Sequence, residues 1–105
     1  PAITAIMAAC DILAAGALQA IYQRGLRIPE DISVVGFDDT YAPFLTPPLT
    51  SVRQPVYEIG CEAARLAIEL AEAQDKNIST LVTRRLETSL VVRSSTGVPR
   101  RFFPG

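Results

Sequence analysis

Four side chains able to do chemistry follow two predicted strands. Cys10 and Asp11 come after the apolar run ITAIMAA, and Asp38 and Asp39 come after ISVVGF. Ligands of open α/β sheets bind outside the carboxyl ends of the strands. If these two strands are neighbours, about 4.8 Å apart, the three carboxylates and the thiol lie roughly 5–10 Å from one another at one edge. The sequence therefore predicts a polar cluster where sites are built.

Three roles suit carboxylates at strand ends. They can hold Mg²⁺ for phosphoryl transfer, accept hydrogen bonds from the hydroxyl groups of a ligand, or bond to nearby backbone N–H groups. Phosphoryl transfer needs a cation near the phosphate, yet the single lysine is Lys76, in a polar turn, and no glycine-rich phosphate loop is present. Ligand binding and turn formation stay open for Asp38 and Asp39, and helix capping accounts for Asp11.

Composition excludes several other function classes. The 105 residues contain no histidine, which removes His-based catalysis and the commonest zinc ligand. Cys10 and Cys61 match no metal or redox spacing. A net charge of −1 offers no basic surface for nucleic acid, and no signal peptide or membrane span is evident. These observations remove most enzymatic functions, and they predict no metal, no cofactor and no membrane partner for this chain.

Hydrophobic patterning predicts one β-α-β unit over residues 3–37. The strand 3–9 leads to a helix over 12–24, with Asp11 as its N-cap and Gly25 at its left-handed stop, and a second apolar strand covers 32–37. Strands that are apolar on both faces indicate a parallel sheet, so the predicted class is α/β with part of a doubly wound sheet.

The second half contains a proline-rich loop, a second helix and two more strands. Three prolines lie in YAPFLTPPLT, and an amphipathic helix over 56–73 follows them. Strand-type segments are predicted at 81–86 and 89–93. The apolar face of the helix needs a partner that the chain does not obviously supply.

The order of these motifs closely resembles the effector-binding domain of LacI/GalR-type bacterial transcription regulators. The most specific stretches are IPEDISVVGFDD and TPPLTSVRQP, followed by ETSLVVRSST, within a match from about Ala5 to Thr96. The resemblance implies a type I fold like that of periplasmic sugar-binding proteins, of which the chain is a C-terminal part. It implies that residues 1–53 belong to the C-terminal subdomain, that 54–79 cross to the N-terminal one, and that 80–105 return.

The resemblance also assigns roles to residues. Asp38 matches an effector-contacting aspartate, and it leaves Asp39 to hold the turn. Cys10 stands where the family usually has an effector-contacting asparagine, and Val56 where an aromatic residue is common. The implied effector-binding residues are Asp38, Cys10, Asp11, Gln54 and Val56. The implied dimer-forming residues are Ile12, Ala15, Leu18, Tyr22, Tyr41, Phe44 and Leu45.

The expected function is therefore effector sensing and dimerisation within a cytoplasmic, DNA-binding repressor. Its partners would be a sugar or purine-like effector, a second copy of the protein, and DNA through an N-terminal domain outside this chain. The alternative is a sugar-binding protein of a transport system, with the same fold and no DNA-binding domain.

Overall fold

The computed structural model describes residues 3–73 and 83–101. Three helices and four strands occur there. The strands are β1 (Ala5–Met7), β2 (Ser33–Asp38), β3 (Thr50–Arg53) and β4 (Ser89–Val91), the α-helices are α1 (Asp11–Gln23) and α2 (Val56–Glu72), and a short 3₁₀ helix covers Ala42–Phe44. The predicted strand at 81–86 is not observed as such, because residues 83–86 belong to no strand and 81–82 lie outside the described residues.

The four strands form one sheet in the order β1-β2-β3-β4. β1, β2 and β3 run parallel, and β4 is antiparallel to β3. The predicted α/β class with a mostly parallel sheet is confirmed. Because β2 and β3 are parallel neighbours, their carboxyl ends lie at the same edge.

Helix α1 covers the sheet with the core that the apolar pattern predicted. Ala14, Leu18 and Ile21 of α1 are buried with Val34 of β2 and with Leu49. The helix ends in a Schellman motif, in which Gly25 N–H donates to Tyr22 O and Leu26 N–H donates to Ile21 O. Gly25 has a φ of +72°, the left-handed conformation that the predicted stop requires.

The segment after β4 is fastened to the sheet by Ser95, whose side chain is fully buried. Its hydroxyl donates to Val34 O (2.6 Å) and accepts from the Thr50 N–H (2.8 Å), and its carbonyl accepts from the Val34 N–H. The chain is therefore held in place just beyond Arg93, whose guanidinium group binds Asp39.

The chain divides into two compact units. One comprises residues 1–53 and 89–105, and the other comprises residues 54–88. In the second unit, no residue of α2 is buried, and one side of the helix lines an open groove of about 360 Å³ together with Arg84, Leu86 and Thr88. The subdomain to which each part of the chain belongs in the whole protein stays a prediction.

Neither α-helix of the described chain contains an apolar stretch long enough to cross a membrane.

Candidate functional site

The polar cluster predicted at the sheet edge is present, and the Asp11 carboxylate is part of it. Its side chain is fully buried. Oδ2 accepts the backbone N–H groups of Tyr41 (3.2 Å) and Ala42 (3.1 Å), and Oδ1 accepts the hydroxyl of Ser51 (2.7 Å). Asp11 thereby joins the start of α1 to the loop after β2 and to β3.

The prediction that Asp11 is the N-cap of α1 is wrong. The N-cap residue is Cys10, whose side chain makes no capping bond, and Asp11 is the first helical residue. The physical reason is that three donors outside the helix satisfy the carboxylate of Asp11, so it does not bond to the N–H groups of its own first turn.

Gly36 makes room for the carboxylate of Asp11. A Cβ atom added at Gly36 would overlap both Oδ1 of Asp11 and Cδ2 of Leu49, and both of those residues are fully buried. The close approach of α1 to β2 therefore depends on the absence of a side chain at position 36.

We expect Gly36→Ala to lower the free energy of unfolding by roughly 1–3 kcal/mol, because the added methyl group overpacks a closed site. Gly16 of α1 is the matched control, since nothing lies within 4 Å of a Cβ atom added there. Gly16→Ala should raise the stability by about 0.5–1 kcal/mol. Urea unfolding of the full-length protein and both variants measures the two effects, and shifts of the same sign would contradict this account.

Asp39 is a second carboxylate at this edge, and two arginines bind it. Its side chain is only 2% exposed. Arg93 Nη1 donates to Oδ1 (2.5 Å), Arg93 Nη2 to Oδ2 (3.2 Å), and Arg53 Nε to Oδ2 (2.8 Å). The hydrogen bond from Arg93, helped by the one from Arg53, lowers the pKa of Asp39 despite its burial.

Asp38, the last residue of β2, holds the turn. Its Oδ1 accepts the N–H (3.2 Å) and the hydroxyl (2.8 Å) of Thr40. Both Asp38 (φ 91°) and Asp39 (φ 55°) have left-handed backbones, which aspartate tolerates better than most residues. The prediction that Asp39 holds the turn is wrong, because the carboxylate of Asp39 is occupied by the two guanidinium groups.

The hydroxyl of Ser51 connects the carboxylate of Asp11 to the backbone of Asp39. It donates to Asp11 Oδ1 and accepts the backbone N–H of Asp39 (3.2 Å). Sequence reasoning singled out neither Ser51 nor Arg93 as a site residue. They lie 40 residues from Asp11 and 54 residues from Asp39, so no local spacing could reveal the contacts.

The other predicted effector residues are not all in this cluster. Cys10 is half-buried beside Asp11, and its thiol is free. Gln54 and Val56 lie in the second unit, where Val56 begins α2 with 62% of its surface exposed. Within the ranges 3–73 and 83–101, no group of three cysteine, aspartate or glutamate side chains has a geometry that could hold a metal ion.

Most of the predicted dimer residues are accessible. Tyr22 OH donates to Thr46 O (3.1 Å), and the bonds to Asp11 bring Tyr41 and Ala42 to the other end of α1. The segment 41–46 therefore runs alongside α1. The residues of this surface that are strongly exposed are Ile12, Tyr22, Tyr41 and Phe44, whereas Ala15 and Leu45 are half-buried and Leu18 is part of the core.

Residues 1–96 match the family model of the periplasmic binding protein-like domain. The chain belongs to that family. Within the periplasmic binding protein-like domains, the resemblance to the effector-binding domain of LacI/GalR-type regulators is confirmed. The ribose operon repressor of Haemophilus influenzae is 42% identical over 93 residues, which are 88% of this chain and 27% of the repressor. The chain thus spans about a quarter of this curated relative.

Solved structures of periplasmic binding protein-like domains agree with this fold. The dimeric Lac repressor with an 11-residue C-terminal deletion has a TM-score of 0.81 and 36% identity, over 92% of this chain and 35% of that one. A LacI family transcriptional regulator from Enterococcus faecium with bound ribose has a TM-score of 0.79 and 31% identity, over 91% of this chain and 35% of that one.

Proposed function

We propose that this chain is the effector-binding and dimerisation part of a bacterial transcriptional repressor. The effector would be a neutral, polyhydroxylated small molecule, either a sugar or a ribonucleoside-like compound. Support comes from the polar strand-end site and from the kinds of relative the chain has: a ribose operon repressor and a LacI family regulator with bound ribose. Neither is a transport protein, so we do not favour the transport alternative.

The observation that carries this proposal is the state of the Asp38 carboxylate. Thr40 uses its Oδ1, whereas Oδ2 accepts no hydrogen bond from the described residues. An ionised carboxylate accepts hydrogen bonds and donates none, so Oδ2 suits the hydroxyl group of a ligand. Because Oδ1 is already fixed by the turn, the carboxylate is oriented before a ligand arrives.

Cys10 makes the proposed site more dependent on Asp38. A thiol is a weak donor and a weak acceptor, and Cys10 occupies the position where the family usually has an asparagine. Asp11 is fully buried with both oxygens in use, so we assign it to positioning the loop rather than to direct ligand contact. Gln54 and Val56 remain proposed effector contacts.

In the proposed mechanism, the effector works by shifting populations. The effector favours the arrangement of the regulator that it binds more tightly. The change in DNA affinity cannot exceed the difference between the affinities of the effector for the two arrangements. No catalytic step and no cofactor is involved. DNA binding would require a domain outside these residues, and the protein would act in the cytoplasm.

Dimerisation is proposed through the exposed surface along α1. Phe44 and Ile12 expose 82% and 63% of their surfaces, and they flank the contact between α1 and the segment 41–46. Exposed apolar patches of this kind mark protein interaction surfaces. The partner we propose is a second copy of the protein.

We expect Asp38→Ala in the full-length protein to weaken effector binding by roughly 1–3 kcal/mol, because a hydrogen bond to a charged acceptor is lost. A thermal-shift screen of neutral sugars and ribonucleosides identifies a ligand, and titration calorimetry measures its affinity. Glu30→Ala, which removes an exposed acid beyond α1, is the control and should leave the affinity unchanged. Equal affinities for the wild type and Asp38→Ala would overturn the proposed site.

A further inference from the structure

Arg53 and Arg93 bind the same carboxylate in different ways. Arg93 is 15% exposed and uses its terminal nitrogens, which donate to both oxygens of Asp39 and to Leu49 O (2.8 Å). Arg53 is 57% exposed and bonds to Asp39 through Nε alone. Within the described part of the chain, the Nη1 and Nη2 groups of Arg53 donate to no acceptor. A guanidinium group has five N–H donors, so four remain available on Arg53.

Arg53 also lies directly beside Asp38 in the sheet. The two residues are register partners across β2 and β3, and each is the last residue of its strand. Neighbouring strands are about 4.8 Å apart, and residues in register lie on the same face. No ion pair among the described residues joins Asp38 to Arg53. The residue with an available acceptor oxygen and the residue with available guanidinium donors are therefore partners in the register at the sheet edge.

The bond from Nε to Asp39 gives Arg53 a defined position. A free arginine would lose much side-chain entropy on binding a ligand, whereas an anchored one has already lost part of it. The carboxylate of Asp39, to which Arg53 bonds, is itself fixed, because it is buried and also binds Arg93. The donors of Arg53 are thus preorganised in the way that a specificity-determining residue requires.

The charge of the cluster indicates what kind of ligand fits. With every group ionised, Asp11, Asp38 and Asp39 outweigh Arg53 and Arg93 by one negative charge. An anionic ligand would meet the free oxygen of Asp38 and be repelled. A neutral ligand with two adjacent hydroxyl groups meets complementary partners, because one hydroxyl can donate to the carboxylate while the neighbouring oxygen accepts from the guanidinium.

We propose that Arg53 is a specificity-determining residue that, with Asp38, binds a vicinal diol of a neutral effector. One hydroxyl donates to Asp38 Oδ2, and the adjacent oxygen accepts from the Nη groups of Arg53. This inference rests on the proposed function and narrows it, because ligands that lack the diol are discriminated against by Arg53.

Titration calorimetry on the full-length protein tests the inference with two pairs of probes. These are methyl β-D-ribofuranoside with its 3-deoxy analogue, and adenosine with 3′-deoxyadenosine; in each pair the missing hydroxyl breaks the single vicinal diol of the parent. We expect the wild type to bind at least one parent compound about tenfold or more tightly than its deoxy form. Arg53→Gln should reduce that ratio to about threefold or less, chiefly by weakening binding of the parent. Arg24→Gln, which changes an exposed arginine at the end of α1, should keep the wild-type ratio.

Each other result has a distinct meaning. If the wild type binds neither parent compound, the inference is overturned, whereas the proposed sugar-or-nucleoside effector class is decided separately by the thermal-shift screen. If the wild type discriminates and Arg53→Gln discriminates equally well, the inference alone is overturned. If Arg53→Gln weakens parent and deoxy forms by the same factor, Arg53 acts on the structure of the site and not on the diol, which also overturns it.

Discussion

Asp11→Ala is expected to lower the free energy of unfolding by roughly 3–5 kcal/mol, the largest effect of any single change considered for this chain. The substitution removes the acceptor for two backbone N–H groups and one hydroxyl at a fully buried position. Each buried donor left without an acceptor costs about 1–3 kcal/mol. Chemical unfolding of the full-length protein, monitored by circular dichroism, measures this loss of unfolding free energy.

Two further substitutions separate this role from helix capping. Asp11→Asn should cost less than Asp11→Ala, because the amide oxygen can accept the N–H groups of Tyr41 and Ala42 while the amide nitrogen donates to Ser51. Asp11→Ser should be nearly as harmful as Asp11→Ala, although serine is a good N-cap residue. If Asp11→Ser retained wild-type stability, the helix-cap role would be restored and the buried network refuted.

Glu58 provides a matched control for the charge of Asp11. Both residues are acids in the first turn of an α-helix, but Glu58 is exposed. Glu58→Ala removes only the interaction of its charge with the helix terminus, which is worth about 0.3–1 kcal/mol. The difference between the two alanine variants therefore measures the buried hydrogen bonds.

Arg93→Met should destabilise the protein by about 3 kcal/mol, because it leaves the buried Asp39 carboxylate with Arg53 as its remaining cation. Arg27→Met is the control, since Arg27 also pairs with an aspartate, Asp31, but is 71% exposed. Exposed pairs contribute little to stability, because water and salt screen the two charges. Similar losses in the two methionine variants would show that burial does not set the strength of the Asp39 pair.

The Arg93→Met effect should also depend on pH. The hydrogen bond from Arg93 holds the pKa of Asp39 below the value of about 3.9 expected for an unfolded aspartate. A carboxylate with a lowered pKa stabilises the fold fully above its unfolded pKa and loses that contribution as the pH falls through the folded pKa. The difference in unfolding free energy between wild type and variant should therefore be full near neutral pH and shrink below about pH 4. A difference that grew with acidification would contradict the assignment.

Local patterns in the sequence were sufficient to predict most of the fold. The apolar run before Asp38 predicted a buried parallel strand, and Gly25 predicted the end of α1, because each signal acts over a few residues. The predicted strand at 81–86 found no support in residues 83–86, since a strand needs a neighbour for its backbone hydrogen bonds and sequence pattern does not show whether one is present.

The site was harder to predict, because its contacts join distant parts of the chain. The local neighbourhood of Asp11 offered helix capping as a sufficient explanation, and the true donors come from Tyr41, Ala42 and Ser51. Asp38 and Asp39 are adjacent and chemically identical. Only their folded surroundings separate them, since Thr40 lies within reach of one and Arg93 within reach of the other.

The double pairing of Asp39 has a consequence for anyone redesigning this protein. An ordinary ion pair can be inverted by exchanging its two residues, which keeps attraction while reversing both charges. Asp39 has two arginine partners, at the end of β3 and just beyond β4, so inverting its charge requires simultaneous changes at positions 39, 53 and 93. Every route through single or double exchanges passes through a variant with like charges in contact. Reversing the charges of this edge one residue at a time is therefore disfavoured.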